Sequence, residues 1–425
     1  MHLLDSLEAR GFIKQISDPD GLREHLDAGP VTLYHGIDPT AVSLHMGHFL
    51  QLILLSHFVK AGHRVILVTG GGTALVGDPS GKSSVRKATS ATDIERNLAG
   101  HRALFRKFLP LADSLDDGVV LMNNADWLTK LGYIDFLRDV GRHFSVNEMI
   151  TAETYRRRLK NNQNLPFIEF NYRLMQAYDY LHLHRENGVT LQVGGSDQWG
   201  NCVAGTELVR KAAGGKGYVL TTPLILTSSG KKMGKSEQGA VWITPEHTSA
   251  WDFFQFWMNV EDADVGRFMK LFTWMDLDEI SALEAAEGAG LGPAKARLAW
   301  EATSLCHSPQ AADQQLASAI RRFHLPPDIV PSRAGAVAKS KDDTTPTATV
   351  SAADLEAGIP LFQLFVKGGL AKSNGEARRL AKGGGAYVND TQIRDANTAF
   401  TAADLVDGAL LLRAGKKRYC RVVVG

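Results

Sequence analysis

The chain has 425 residues, 44% of them hydrophobic and 22% charged, with a formal net charge of +1, which is enough for two or three domains with real cores and excludes a disordered or fibrous chain. Three cysteines, Cys202, Cys306 and Cys420, lie far apart, which excludes a disulfide framework or a zinc cluster, and no apolar run approaches membrane-spanning length, so a cytoplasmic protein with no membrane partner is expected. The charge is uneven, with 11 Lys plus Arg against 7 acids in residues 353–425 and 36 against 39 in the remainder, so a small basic unit, suited to a polyanion or simply a solvated face, follows a slightly acidic body.

Residues 1–30 read as a helical lead-in, with Leu3, Leu4, Leu7, Phe12 and Ile13 at loose helical spacing and acids that rule out a targeting segment. An apolar run ending in Tyr34 is then broken by Gly36 and Pro39, and apolar residues return at helical spacing from Met46 to about Ala61, stopping at Gly62. This predicts a strand, a tight loop and a helix N-terminus. His45 and His48 bracket Gly47 at that turn, so two imidazole donors flank backbone bare of side chain, where a nucleotide's phosphates and flat base could approach; two solvated histidines on a surface helix are the alternative. Val65-Ile66-Leu67-Val68 reads as a strand buried on both faces that empties into Gly70-Gly71-Gly72. The loop from Gly77 to Ser84 looks like a P-loop until the spacing is counted, because the position that must be glycine is Val76. Lys82 and Arg86 could still fold over phosphates on a mobile lid, or belong to an ordinary polar loop.

Val119-Val120-Leu121-Met122 is another buried strand, ending at Asn123; residues 135–150 look helical, and Arg156-Arg157-Arg158 is a wet surface. From Phe167 to Leu183 a helix is expected, on which Tyr172, Gln176 and Asp179 share one face, either lining a pocket or rimming a solvated side. Thr190-Leu191-Gln192-Val193 is a fourth strand, spilling into the run from Gly194 to Asn201. In all four places polar and glycine residues follow a strand, where open parallel sheets bind ligands, so Tyr34, Thr73, Asn123 and Asp197 can converge. Pro223-Leu224-Ile225-Leu226 precedes a polar loop from Ser228 to Ser236, residues 250–323 form a helical subdomain, and 326–352 lack a core pattern.

His45-Met46-Gly47-His48 resembles the first signature of class I aminoacyl-tRNA synthetases, with Met46 where that class often has Ile. Lys232-Met233-Gly234-Lys235-Ser236 resembles the second, with Gly234 replacing the central Ser. Within the class the chain is similar over nearly its whole length to the bacterial-type tyrosyl-tRNA synthetase family. The residues that carry this are Tyr34-x-Gly36-x-Asp38-Pro39-Thr40, Gly77-Asp78-Pro79-Ser80-Gly81-Lys82, Tyr172-x-x-x-Gln176-x-x-Asp179 and Gly194-Gly195-Ser196-Asp197-Gln198-Trp199-Gly200-Asn201. The terminal unit resembles an S4-type RNA-binding domain: Ser373 and Glu376 form a capping box opening a helix with Arg378 and Arg379, followed by Gly383-Gly384-Gly385 and the strand Ala386-Tyr387-Val388. A small α/β cap with surface charges is the alternative there.

The resemblance implies an α/β fold: a Rossmann-like doubly wound parallel-sheet catalytic domain over 1–225 with an inserted helical dimerisation region at about 126–165, a signature loop and α-helical tRNA-binding domain over 226–330, a linker over 331–352 and an S4-like domain over 353–425. It implies a homodimer that activates L-tyrosine with ATP and passes it to tRNA(Tyr). Thr40, His45, Lys82, Arg86, Lys232 and Lys235 would meet the β and γ phosphates; His48, Gly195 and Asp197 the ribose; Gly47 and the backbone near Leu224 and Ile225 the adenine; Gly36 and Asp38 complete the ATP set. Tyr34 and Asp179 would take the phenol, Asp78, Tyr172 and Gln176 the ammonium, and Gln198 the carboxylate, with Thr73 and Asn123 also in the tyrosine set. Lys372, Arg378, Arg379 and Lys382 would meet RNA. ATP enters as a substrate accompanied by Mg2+, with no protein-held metal or prosthetic group expected. His35 either adds a bond near the ribose or fills space, and Gly234 is expected to make the second loop more mobile. A non-catalytic RNA-binding paralogue is the competing reading; a small-metabolite nucleotidyltransferase using the first signature alone leaves residues 226–425 unexplained.

Overall fold

The computed structural model describes every residue except 1, 81–89, 231, 237–238, 286–289, 340–344, 407 and 416–417. The chain divides into two compact units, residues 1–248 with 261–285, and residues 249–260 with 286–425.

The first unit is built on a seven-stranded sheet: β1 (Gln15–Ile16), β2 (Thr32–Ile37), β3 (Arg64–Thr69), β4 (Leu111–Ala112), β5 (Val119–Asn123), β6 (Leu191–Gly195) and β7 (Tyr218–Thr222), in the order β1-β7-β6-β2-β3-β5-β4. All neighbours run parallel except β1, which pairs antiparallel with β7. The connections from β2 go outward through β3 on one side and through β6 on the other. The crevice at the carboxyl ends of β2 and β6 is therefore the switch point at which such sheets bind ligands. The continuous apolar run of β3 is explained by coverage on both faces, with Val65, Ile66, Leu67 and Val68 all buried.

Helix α1 (Met46–Lys60) is buried nearly all round, through Phe49, Leu50, Leu52, Ile53, Leu54, Leu55 and Phe58. Its outer side packs on α5 (Val265–Phe272), with the Phe49 and Phe272 rings 5.4 Å apart. Buried Arg10 ties the lead-in to the same place, donating to the carbonyls of Lys270, Thr273 and Met275 at 3.3, 3.4 and 2.7 Å. Helix α2 (Ala91–Phe108) follows β3, α3 (Phe167–Asn187) precedes β6, and α4 (Trp199–Ala213) leads to β7. Helix α3 outruns the expected end at Leu183 by one turn and stops at Gly188, whose φ of 66° is left-handed. The expected helix over 135–150 is instead three short pieces, Tyr133–Asp139, Gly141–His143 and Val146–Met149. Tyr133, Ile134, Leu137 and Val146 in these pieces are exposed, while Val140 and Met149 are buried.

In the second unit the helices Ala250–Met258, Leu291–Cys306 and Pro309–Phe323 pack together. The helical stretch expected as one body from 250 to 323 is thus split, since residues 261–285 belong to the first unit. A five-stranded sheet follows, in the order Thr347–Val350, Arg418–Val424, Ala409–Ala414, Ala386–Val388 and Thr391–Gln392. The expected linker over 331–352 is corrected here: residues 347–350 form an edge strand parallel to 421–424. Four residues of alternating Thr, Ala, Thr and Val are too short to show periodicity beside a Lys, Asp and Thr tract.

Candidate active site

At the switch point a cleft of about 620 Å³ opens. Tyr34, Gly36 and Asp38 come to it from β2 and the loop behind; Thr40, His45, Gly47 and His48 come from the turn into α1. Thr73 and Asp78 reach it from beyond β3, and Tyr172, Gln176 and Asp179 from one face of α3. Gly195, Asp197 and Gln198 follow β6, Leu224 and Ile225 follow β7, and Lys232 closes the edge. Lys82 and Arg86, and the side chain of Lys235, lie outside the described residues.

One end of the cleft is buried. Tyr34 is 1% exposed, packs edge-on against Tyr180 at 5.3 Å, and its hydroxyl has no hydrogen-bond partner. Asp179, also buried, accepts from Trp127 Nε1 at 2.7 Å and Asn124 Nδ2 at 3.0 Å. Burial still wins: it raises the Asp179 carboxyl from its ordinary 3.8 to about 7, opposed by those two bonds and assisted by the charge of Asp38. Asn124 is itself fixed, donating to Thr73 Oγ1 at 3.0 Å and accepting from Gly72 N at 2.8 Å. Asn124 and Trp127 were missed in the sequence. Asn123, expected in the tyrosine set, is corrected: its side chain turns back to accept from the N–H groups of Gly71 and Ala125 and does not line the cleft. β5 ends at Asn123, and the chain turns at Asn124 into the short helix Ala125–Leu128, so it is the residue after the strand whose amide faces Asp179.

The next layer carries charge. Asp38 accepts from Tyr172 Oη at 2.9 Å and Thr73 Oγ1 at 2.7 Å. It therefore sits with residues assigned to the amino acid, whereas the resemblance had placed it with the nucleotide. Asp78 accepts from Gln198 Nε2 at 2.7 Å and from Ser80 N at 2.9 Å. Burial, then the charge of Asp78, raises the Asp197 carboxyl.

The first signature is a reciprocal cap made of histidines. Gly47 N donates to His45 Nδ1 at 3.1 Å, and His45 N donates to His48 Nδ1 at 3.3 Å. The rings stack with centroids 4.0 Å apart and 14° between planes. An Nδ1 that accepts from backbone must be bare, so in the neutral form each ring carries its proton on Nε2 and presents a donor beside the positive end of α1. Burial, followed by the charges of His45, His101 and His35, holds His48 well below the usual imidazole range. His35 is buried and shares a proton with the Val193 carbonyl at 2.9 Å, which makes it the donor and pins β2 to β6; burial lowers it to about 4.

The second signature is brought against the first. Met233 N donates to Ile225 O at 2.9 Å, Val241 N to Gly234 O at 2.7 Å, and Ile243 N to Leu44 O at 3.0 Å, while His45 and Trp242 form a β-bridge. Gly234 is buried with φ at 77°, and a Cβ there would lie 2.9 Å from Met46 Cγ. Gly234 thus meets a demand of close approach and left-handed backbone, in contrast to the loosening expected from sequence.

In the second unit Lys372, Arg378, Arg379 and Lys382 are all exposed on or beside the helix Asn374–Lys382, whose Ser373 cap accepts from Glu376 N at 3.3 Å. Arg378 lies over the Phe362 ring at 4.1 Å and donates to Asn397 at 2.8 Å.

A doubly wound sheet with a histidine-capped helix at its switch point and a lysine loop folded onto that cap defines a class I aminoacyl-tRNA synthetase, and the family model for "tRNA synthetases class I (W and Y)" matches residues 26–324. The model "Tyrosine--tRNA ligase SYY-like C-terminal domain" matches residues 338–422. The tyrosine–tRNA ligase of Desulfatibacillum aliphaticivorans is 48% identical over 100% of this chain and 99% of its own length, and that of Caulobacter vibrioides 48% over 99% and 97%. Among solved structures, a C-terminally truncated Aspergillus nidulans mitochondrial tyrosyl-tRNA synthetase superposes with a TM-score of 0.68 at 29% identity, covering 76% of this chain and 94% of that one. The chain belongs to the tyrosyl-tRNA synthetase family.

Proposed function

We propose that the cleft carries out the tyrosine–tRNA ligase reaction with the following division of labour. Tyrosine's carboxylate attacks the α-phosphorus of ATP in line, pyrophosphate leaves, and the tyrosyl group then passes to the terminal ribose of tRNA(Tyr). Neither step needs a protein nucleophile, so catalysis rests on positioning and on charge placed where the transition state gains it.

The observation that carries the substrate is the buried end of the cleft. An unpartnered Tyr34 hydroxyl and a desolvated Asp179 carboxyl there suit a ligand that both accepts and donates, which a phenol does. Phenylalanine would leave the Tyr34 hydroxyl without a partner, at about 1–3 kcal/mol. Asp38, Asp78, Tyr172 and Gln176 suit the ammonium; Gln198, tied to Asp78, suits the carboxylate end. His48, Gly195 and Asp197 take the ribose, the backbone at Leu224 and Ile225 the adenine edge, and Thr40, His45 and Lys232 the departing pyrophosphate. Mg2+ accompanies ATP as part of that substrate.

The exposed basic helix at Lys372, Arg378, Arg379 and Lys382 supports an S4-like reading of the last unit as the tRNA-binding part. The large apolar side chains left exposed at Tyr133, Ile134, Val146, Phe167 and Ile168, from 51% to 70%, support a homodimer formed through the 126–168 region. Among the described residues no helix is long and apolar enough to cross a membrane.

The test is tyrosine-dependent exchange of pyrophosphate into ATP, run across the amino acids. Exchange with tyrosine and not phenylalanine is expected; none with any amino acid would leave only a non-catalytic RNA-binding paralogue.

A further inference from the structure

The second-signature hairpin stands on a polar seat that the catalytic assignments above do not use. From the segment leading into α5, Asp264 is 2% exposed and accepts from the backbone N–H of Ser228 at 2.8 Å and from Arg267 at 2.7 Å. The same Arg267 guanidinium donates to the Leu226 carbonyl. Glu261 takes two hydroxyls of the hairpin, Ser228 Oγ and Ser229 Oγ, the latter at 2.6 Å. Leu226 is in turn bridged to Lys232, the described signature lysine that lines the cleft. The chain of contacts from a buried carboxylate to that lysine, through Arg267 and Leu226, is therefore three links long. A carboxylate removed from water is held only by well-aimed charged and N–H partners, so Asp264 fixes its donors as firmly as they fix it.

We propose that Asp264 and Arg267, assisted by Glu261, are positioning residues for the adenylate-forming step: they set where the 226–232 hairpin emerges and hence where Lys232 stands over the cleft. They touch no substrate themselves. The tyrosine-binding residues lie on β2 and the loop behind it, beyond β3, on α3 and in the turn after β6, on segments other than those of this seat, so the seat acts on the rate of pyrophosphate departure and leaves tyrosine binding alone. The proposal rests on the assignment of Lys232 to pyrophosphate.

The experiment measures tyrosine-dependent pyrophosphate exchange, with equilibrium tyrosine binding alongside, in the full chain and in Arg267→Ala, Arg267→Lys, Asp264→Asn and Lys232→Ala. Arg267→Ala and Asp264→Asn are each expected to lower kcat about tenfold, the scale of one charge-assisted hydrogen bond, with the tyrosine dissociation constant within twofold. Arg267→Lys should recover part of the loss, and tryptic cleavage within residues 230–236 should quicken in Arg267→Ala. If Arg267→Ala does not fold, Ser228→Ala with Ser229→Ala removes the Glu261 bonds from the loop side and should lower kcat about threefold with tyrosine binding intact. Seat variants that keep kcat within twofold while Lys232→Ala is crippled overturn the proposal. So does a parallel fall in tyrosine affinity and rate. A Lys232→Ala enzyme of full activity overturns instead the reading of the lysine.

Discussion

Tyrosine affinity should fall with acid because of one carboxyl. Asp179 is buried among apolar rings, and desolvation lifts it from 3.8 to about 7 even though Trp127 and Asn124 donate to its two oxygens. The phenol has a proton to give, and a carboxylate receives it with a charge-assisted bond, whereas a protonated carboxyl has its oxygens already engaged and a proton of its own to place. Binding therefore selects the ionised form, and the apparent dissociation constant is the intrinsic one divided by the ionised fraction. For a group near 7 that is roughly a tenfold weakening at pH 6 and roughly thirtyfold at pH 5.5, relative to pH 8. The same shift makes ionisation at this site unfavourable to the empty fold: the group's stability contribution is fully present below 3.8 and is lost as the pH rises to about 7, amounting to about 4 kcal/mol at 1.36 kcal/mol per pH unit. Bound tyrosine offsets that loss, so ligand-induced thermal stabilisation should grow with pH over the same window. The assay is calorimetric titration with tyrosine between pH 5.5 and 8.5, with Asp179→Asn as the control that binds weakly and without this pH dependence. A tyrosine affinity that is flat across the window refutes the reasoning.

Three further outcomes are expected. Gly234→Ala should slow adenylate formation tenfold or more with tyrosine binding unchanged, because a Cβ at φ 77° meets Met46 and left-handed backbone disfavours alanine by about 1–2 kcal/mol; stopped-flow adenylate formation measures this. Removing residues 345–425 should depress tRNA charging by an order of magnitude or more and leave pyrophosphate exchange within threefold. A cut at 352 should also destabilise what remains, since it strands residues 347–350 without their partner strand. If the proposed dimer forms through this region, Ile134→Asp with Phe167→Asp should shift its sedimentation coefficient to that of a monomer at micromolar concentration, as a charge on each exposed apolar residue opposes burial there.

The sheet and its switch point were legible because parallel strands read as short apolar runs broken at their carboxyl ends: β2 at Gly36, β3 at Gly70, β6 at Gly194 and β5 at Asn123. The face of α3 was legible for a similar reason: helical spacing alone aligns Tyr172, Gln176 and Asp179. What resisted reading was anything decided by a single side chain's direction. Asn123 and Asn124 are chemically identical neighbours, and only the turn into Ala125 settles which faces Asp179. Trp127 gave no signal, since an indole about one turn beyond Asn124 reads as core until its Nε1 is seen on the carboxylate. Gly234 misled because glycine suggests freedom when only sequence is known, and the reason for it lies 188 residues earlier in Met46.

The polar groups around the amino acid form one connected set: Trp127 and Asn124 on Asp179, Asn124 on Thr73, Thr73 on Asp38, and Asp38 on Tyr172. Each member fixes the next before any ligand arrives, so little reorganisation remains for binding to drive, which is the condition under which dipoles aimed at a substrate act most strongly. Tyr34 stands outside this set, with its hydroxyl unpaired against the Tyr180 ring. On the proposed assignment, selectivity for a phenol follows from that asymmetry: the preorganised chain supplies the acceptor, Tyr34 supplies the donor, and a ring without a hydroxyl satisfies neither.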